Sequence, residues 1–87
     1  MKNKQILGAL ALDLKRVALG YYNGSISTAD RFYQEALKRR SELDNKDLKP
    51  YLKKFLNELD VLEKTEKTKA AEDALLYSTI FQNAAIS

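Results

Sequence analysis

Apolar residues recur at spacings of three and four along almost the whole of this 87-residue chain. That spacing is typical of α-helices that bury one face, because an α-helix makes one turn in about 3.6 residues. No alternating apolar and polar run of comparable length is present, so we expect no β-sheet. The chain is therefore predicted to be all-α.

Short polar turns divide the pattern into four amphipathic segments, and the first ends at Asn23-Gly24, a strong helix breaker. Connections this short force sequential helices to lie antiparallel. We therefore predict a single domain over 1–87, folded as a four-helix antiparallel up-down bundle. The first three helices are predicted over about residues 4–22, 27–43 and 48–62. The fourth is predicted to follow a polar connection over 63–67 and to end at about Asn83.

Residues that favour helix starts mark the beginnings of the later helices. Ser27 is predicted to cap the second helix and Asp47 the third, where Pro50 falls in the first turn and its missing N–H costs nothing. Thr65 or Thr68 is predicted to cap the fourth helix.

The core should be formed by the residues on the inward arcs of all four helices. Its centre is predicted to contain Leu10, Leu14, Val17, Phe32, Ala36, Leu52, Phe55, Leu59, Tyr77 and Phe81.

The first helix carries a second apolar stripe. Leu12 and Leu19, one heptad apart, project almost opposite the core-facing residues, and Gly8 and Tyr22 lie beside them. A helix that is apolar on two sides is either central in a larger core or covered by another chain. In a four-helix bundle no helix is surrounded, so we expect a homodimer contact through Gly8, Leu12, Leu19 and Tyr22. The alternative is a pair of leucines that is simply exposed to solvent.

Two charged residues interrupt otherwise apolar arcs, Arg40 on the second helix and Asp73 on the fourth. Either each is accommodated locally, Arg40 by extending its head group to water and Asp73 in the first turn of its helix, or they pair between subunits. They lie near opposite ends of an up-down bundle, so they are not expected to pair within one chain.

The chain contains no histidine and no cysteine. These residues supply most nucleophilic, metal-binding and neutral-pH acid–base chemistry, and no glycine-rich phosphate loop is present. We expect a protein that is not an enzyme and binds neither a metal nor a cofactor. The absence of cysteine also fits a reducing compartment.

The net charge of +3 is unevenly distributed, since residues 1–43 carry eight basic and four acidic side chains. This excess either attracts a polyanion such as nucleic acid or is a solvated surface with a small surplus of lysine. The candidate contacts are Lys15, Arg16, Arg31, Lys38 and Arg39.

Short stretches resemble helical families. Ala29-x-x-x-Tyr33-x-x-Ala36-Leu37 resembles the second helix of a tetratricopeptide repeat, although the preceding helix lacks that repeat's pattern. Residues 13–43 are similar to the helical hairpin of HEPN domains, but the Arg-x-x-x-x-His nuclease motif is absent, so that resemblance implies a catalytically inert bundle. The stretch from Tyr33 to Leu37 also resembles MIT-type modules.

The first twelve residues imitate a signal peptide, with Lys2 and Lys4 before an apolar run. Asp13, Lys15 and Arg16 interrupt that run, so we expect the first core helix of a cytoplasmic protein without membrane contact. Taken together, the sequence predicts a small, homodimeric, non-catalytic interaction module with an unidentified protein partner. The alternative is a nucleic-acid-binding accessory protein.

Overall fold

A computed structural model describes residues 2–87, of which 87% are in α- or 3-10 helices and none in a strand. The predicted all-α four-helix bundle is confirmed. The described part of the chain measures 36 × 20 × 19 Å. Its elements are α1 (Lys2–Tyr22), α2 (Ile26–Ser41), a 3-10 turn (Asn45–Asp47), α3 (Pro50–Glu58), a 3-10 segment (Leu59–Lys64) and α4 (Lys67–Ile86).

The long helix α1 organises the bundle, because it packs against α2 on one flank and α4 on the other. The contact with α2 is close at Gly20, where an added Cβ would lie 2.8 Å from the backbone nitrogen of Ala29. The contact with α4 includes a buried hydrogen bond of 2.6 Å, which the Ser78 hydroxyl donates to the carbonyl oxygen of Ala11.

Two tyrosines, one on α2 and one on α4, hold α3 and the following 3-10 segment against the bundle. The buried Tyr33 hydroxyl on α2 donates a hydrogen bond of 2.8 Å to the carbonyl oxygen of Leu59. On α4 the Tyr77 hydroxyl donates one of 3.1 Å to the Glu58 carboxylate. Burial, together with that neighbouring carboxylate, raises the pKa of Tyr77 to about 12, so the tyrosine stays neutral and remains a donor.

The helix starts differ from the predicted caps. The residue before α2 is Ser25, whose hydroxyl bonds to the hydroxyl of Thr28, so Ser27 lies inside the helix. Lys49 precedes Pro50 at the start of α3, and Asp47 belongs to the 3-10 turn instead. The predictions for Ser27 and Asp47 were wrong, because Ser25 and the 3-10 turn shift where each helix begins.

Glu66, and neither threonine, caps α4. Its carboxylate accepts hydrogen bonds from the backbone N–H groups of Thr68 and Lys69, and these bonds hold the pKa of Glu66 below its usual value. Thr65 donates its hydroxyl to the carbonyl oxygen of Val61 and so closes the preceding segment. The longer glutamate side chain reaches two free N–H groups, whereas a threonine cap would satisfy one.

Eight of the ten residues predicted for the core are buried, and Phe81, Leu10 and Leu14 are among the largest that are fully enclosed. The exceptions are Phe32 and Phe55, which are half-buried and pack against the rim of the core.

Candidate functional site

The second stripe of α1 lies on the surface. Leu12 is 48% exposed, Leu19 49% and Tyr22 53%, although α1 has a neighbouring helix on each flank. Gly8 differs from the other three, because it faces α4. A Cβ added at Gly8 would lie 3.8 Å from the Cβ of Ala85. The three large side chains thus remain available to a partner, while Gly8 allows α1 and α4 to approach each other.

Helix α4 extends this apolar surface with a residue that the sequence analysis missed. Leu75, 41% exposed, lines a groove of about 330 Å³ between the two helices, together with Leu12. We call the surface formed by Leu12, Leu19, Tyr22 and Leu75 the α1–α4 face. The groove is bordered by polar side chains, namely Lys15, Ser78, Thr79, Gln82 and Asn83.

A signal for the second surface of α4 was present in the sequence. Leu75 and Leu76 are adjacent and therefore point about 100° apart on a helix, so one core-facing arc could not hold both. Which of the two lies beside α1 depends on the rotation of α4 within the bundle.

Arg40 is held within its own chain. Its guanidinium donates hydrogen bonds of 2.9 Å to the carbonyl oxygen of Leu56 and 2.8 Å to the carboxylate of Asp60. The bond and the positive charge together lower the pKa of Asp60. Arg40 was expected either to extend into water or to pair between subunits. Its contact with Asp60 of the same chain differs from both expectations.

Asp73 also has a local partner. Lys69, one turn earlier on α4, approaches its carboxylate at 3.4 Å. Arg40 and Asp73 are therefore accommodated separately, and neither requires a second subunit.

Asp13 is the buried charge that sequence reasoning missed. It is only 5% exposed, and Arg39 approaches its Oδ2 atom at 3.5 Å, which is too long for a well-formed hydrogen bond. Among the described residues Oδ2 has no hydrogen-bond partner. Its position was detectable, because Leu10 and Val17, three residues before it and four after, belong to the core stripe.

Burial raises the pKa of Asp13, and the positive charge of Arg39 only partly opposes this effect. A carboxyl group with a raised folded-state pKa contributes stability below its unfolded pKa, and that contribution is lost as the pH rises through the folded pKa. The lowered pKa of Asp60 has the opposite consequence: its contribution to stability is present above the unfolded pKa and is lost as the pH falls through the folded pKa.

The stability of the wild type relative to Asp13→Asn should therefore increase as the pH falls from 7 toward the carboxyl range. Relative to Asp60→Asn it should decrease as the pH falls below 3.8, the ordinary pKa of an aspartate, toward the lowered folded pKa of Asp60. Urea unfolding of the three proteins at several pH values measures both trends. Parallel curves for the two variants would contradict the assigned pKa directions.

The five residues proposed to contact a polyanion do not share one surface. Arg16 and Arg31 meet at the edge between α1 and α2, where their guanidinium carbons lie 5.2 and 5.4 Å from the centre of the Phe32 ring. Lys15 instead lines the groove beside α4. Arg39 is directed toward Asp13.

Lys38 is exposed and lies two helical turns after Arg31, so the same face of α2 carries both. The structure thus brings Arg16 and Arg31 together at Phe32, with Lys38 two turns further along the same face of α2, and separates Lys15 from them. No helix within residues 2–87 combines the length and apolarity required to cross a lipid bilayer.

Comparison of the chain with protein-family models, curated proteins and solved structures gave no match. The resemblances of short stretches to helical families therefore extend no further than the residues that carry them. Function has to be inferred from the chemistry of the surfaces.

Proposed function

We propose that the protein is a small, non-catalytic helical interaction module that forms a homodimer through the α1–α4 face. The observation that carries the proposal is the continuity of this face. Leu12 and Leu75 line one groove, Leu19 follows Leu12 after two turns, and Tyr22 follows Leu19 after one. Large apolar side chains grouped in this way are typical of contact surfaces.

The side of the bundle that carries this face is long enough for a dimer interface. A stable interface covers about 800 Å² of each partner, roughly 15% of the 5473 Å² surface of this chain. Helices α1 and α4 are each about 30 Å long and lie side by side, so together they offer a surface of this order. Polar residues around the groove, including Lys15 and Gln82, supply the rim that such interfaces have.

A second copy of the chain is the occupant that we favour, because twofold pairs are the commonest small oligomers and require a surface that matches itself. With two α1 helices antiparallel across the twofold axis, Leu12 of one copy packs on Leu19 of the other. Full burial of a leucine is worth about 1.5–3 kcal/mol, and these side chains are already half-buried, so each contributes the lower part of that range. We place the protein in the cytoplasm, with which its cysteine-free composition is compatible.

The double variant Leu12→Glu with Leu19→Glu should be a folded monomer, because both side chains lie outside the core while the face would acquire four buried charges per dimer. Light scattering at micromolar concentration measures the mass, and far-UV circular dichroism checks the fold.

The matched control is Val61→Glu with Leu76→Glu, which places the same charges at two exposed apolar residues outside the α1–α4 face. This control should remain dimeric. A monomeric wild type would refute the proposal, and so would a control that dissociates as fully as the double variant.

A further inference from the structure

The edge between α1 and α2 presents a cationic cluster that the proposed dimer does not use. Arg16 of α1 and Arg31 of α2 both contact the ring of Phe32, a half-buried residue at the rim of the core. Arginine heads within about 6 Å of an aromatic ring are attracted by its electrons, which restricts their motion. We call Arg16, Arg31, Phe32 and Lys38 the arginine edge.

The two guanidinium groups lack anionic partners. Within residues 2–87, the ion pairs are Arg39–Asp13, Arg40–Asp60 and Lys69–Asp73, so no carboxylate of the described chain lies at salt-bridge distance from Arg16 or Arg31. Their donor groups are therefore free to bind an external anion.

The acidic residues near this edge form no ion pair with its cations. Asp13 is buried and directed toward Arg39, while Asp30, Glu35 and Glu42 are exposed and form no ion pair within the described residues. The side chains of Arg16, Arg31 and Lys38 thus remain unpaired on a surface about two helical turns long.

We propose that the arginine edge binds the sugar–phosphate backbone of single-stranded nucleic acid. Arginine forms paired hydrogen bonds to phosphate oxygens, and the contact with Phe32 holds the two guanidinium groups in place before binding. Bases of a single strand also stack on guanidinium planes and on aromatic rings, an interaction that an acidic peptide does not make. Lys38 extends the same face toward a further phosphate.

A single strand fits the edge better than a duplex does. The cluster lies at the edge where α1 packs against α2, whereas duplex readers such as helix-turn-helix proteins place one recognition helix in the major groove. With few cations, binding should be weak and strongly dependent on salt.

Fluorescence anisotropy of a labelled oligouridine, measured in about 50–200 mM salt, tests the proposal. The double variant Arg16→Gln with Arg31→Gln should bind about tenfold or more weakly than the wild type. The logarithmic slope of its salt dependence should be smaller by about 0.7 for each phosphate that the variant no longer neutralises.

The matched control is Lys54→Gln with Lys67→Gln, which removes two positive charges from exposed positions on α3 and α4, outside both the arginine edge and the α1–α4 face. It should bind oligouridine nearly as well as the wild type. An equally weakened control would show that only net charge matters and would overturn the proposal. So would the absence of binding at the lowest salt concentration.

Competition distinguishes the two kinds of polyanion. Unlabelled oligouridine should displace the probe much more effectively than polyglutamate of equal charge, and equal displacement would overturn the proposal in favour of an acidic peptide.

Arg16 lies one turn from Leu12, so the mass of every variant is measured by light scattering at the assay concentration. If the glutamine variant fails to fold, Arg16→Lys with Arg31→Lys keeps the charge and removes the paired donors. It should still bind more weakly than the wild type, and unchanged binding would overturn the proposal.

Discussion

Phe81→Ala should lower the free energy of unfolding by about 3–5 kcal/mol, the largest effect that we expect of any single substitution in this chain. Phe81 is fully enclosed, and its removal leaves a cavity that the surrounding helices fill only partly. A domain of this length has about 4–13 kcal/mol of stability, so the variant should lose a large share of it and be close to unfolding at the lower end of that range. Urea titration followed by circular dichroism measures the change.

Phe55→Ala is the matched control, because it removes the same atoms from a half-buried position. Phe55 packs at the rim against Tyr77, with ring centres 5.9 Å apart. Its removal should cost about half as much, roughly 1.5–3 kcal/mol. Equal destabilisation by the two substitutions would contradict the difference in burial. If Phe81→Ala does not fold, Phe81→Leu should still be destabilised by about 1–2 kcal/mol.

Gly20→Ala should lower the free energy of unfolding by about 1–3 kcal/mol, even though alanine is the better helix former. The added Cβ would lie 2.8 Å from the nitrogen and 3.0 Å from the Cα of Ala29, and backbone atoms cannot rotate away as a side chain can. Helices α1 and α2 would have to separate near the turn that joins them.

Gly8→Ala is the same substitution in the same helix, and it should have the opposite sign. A Cβ at Gly8 would meet Ala85 at 3.8 Å, an ordinary contact, so the gain in helix propensity of about 0.5–1 kcal/mol should be realised. Thermal unfolding of the two variants beside the wild type gives both values. Stabilisation by both alanines would show that α1 and α2 separate at Gly20 without cost, against the close packing of their backbones.

The two proposed surfaces divide the exposed side of α1. Lys15 borders the groove on the α4 side, whereas Arg16 reaches Phe32 on the α2 side, and the Leu12 and Leu19 ridge lies between them. A homodimer through the ridge would therefore bring two arginine edges near the same interface. Whether nucleic acid alters dimerisation is then measurable as a change in mass on addition of oligouridine.

Helix ends were less predictable than the helices themselves. Each capping residue competes with its neighbours for a few free N–H groups, and the outcome depends on side-chain reach. Glu66 caps α4 in place of Thr65 or Thr68, because its longer side chain reaches two N–H groups. Ser25, and not Ser27, precedes α2, because the turn that follows α1 ends at Ser25.

Local sequence alone determined the four helices, the inward arcs and the outward direction of Leu12 and Leu19, because about 3.6 residues per turn relate neighbours within one helix. That period carries no information on how separate helices are rotated and aligned. Only the tertiary structure decided that Arg40 pairs with Asp60 within the chain and that Arg39 is the residue that approaches Asp13. The tertiary structure likewise set Leu75 beside Leu12 and Arg16 of α1 on Phe32 of α2. Each of these contacts joins two helices whose relative register the packing of the whole core establishes.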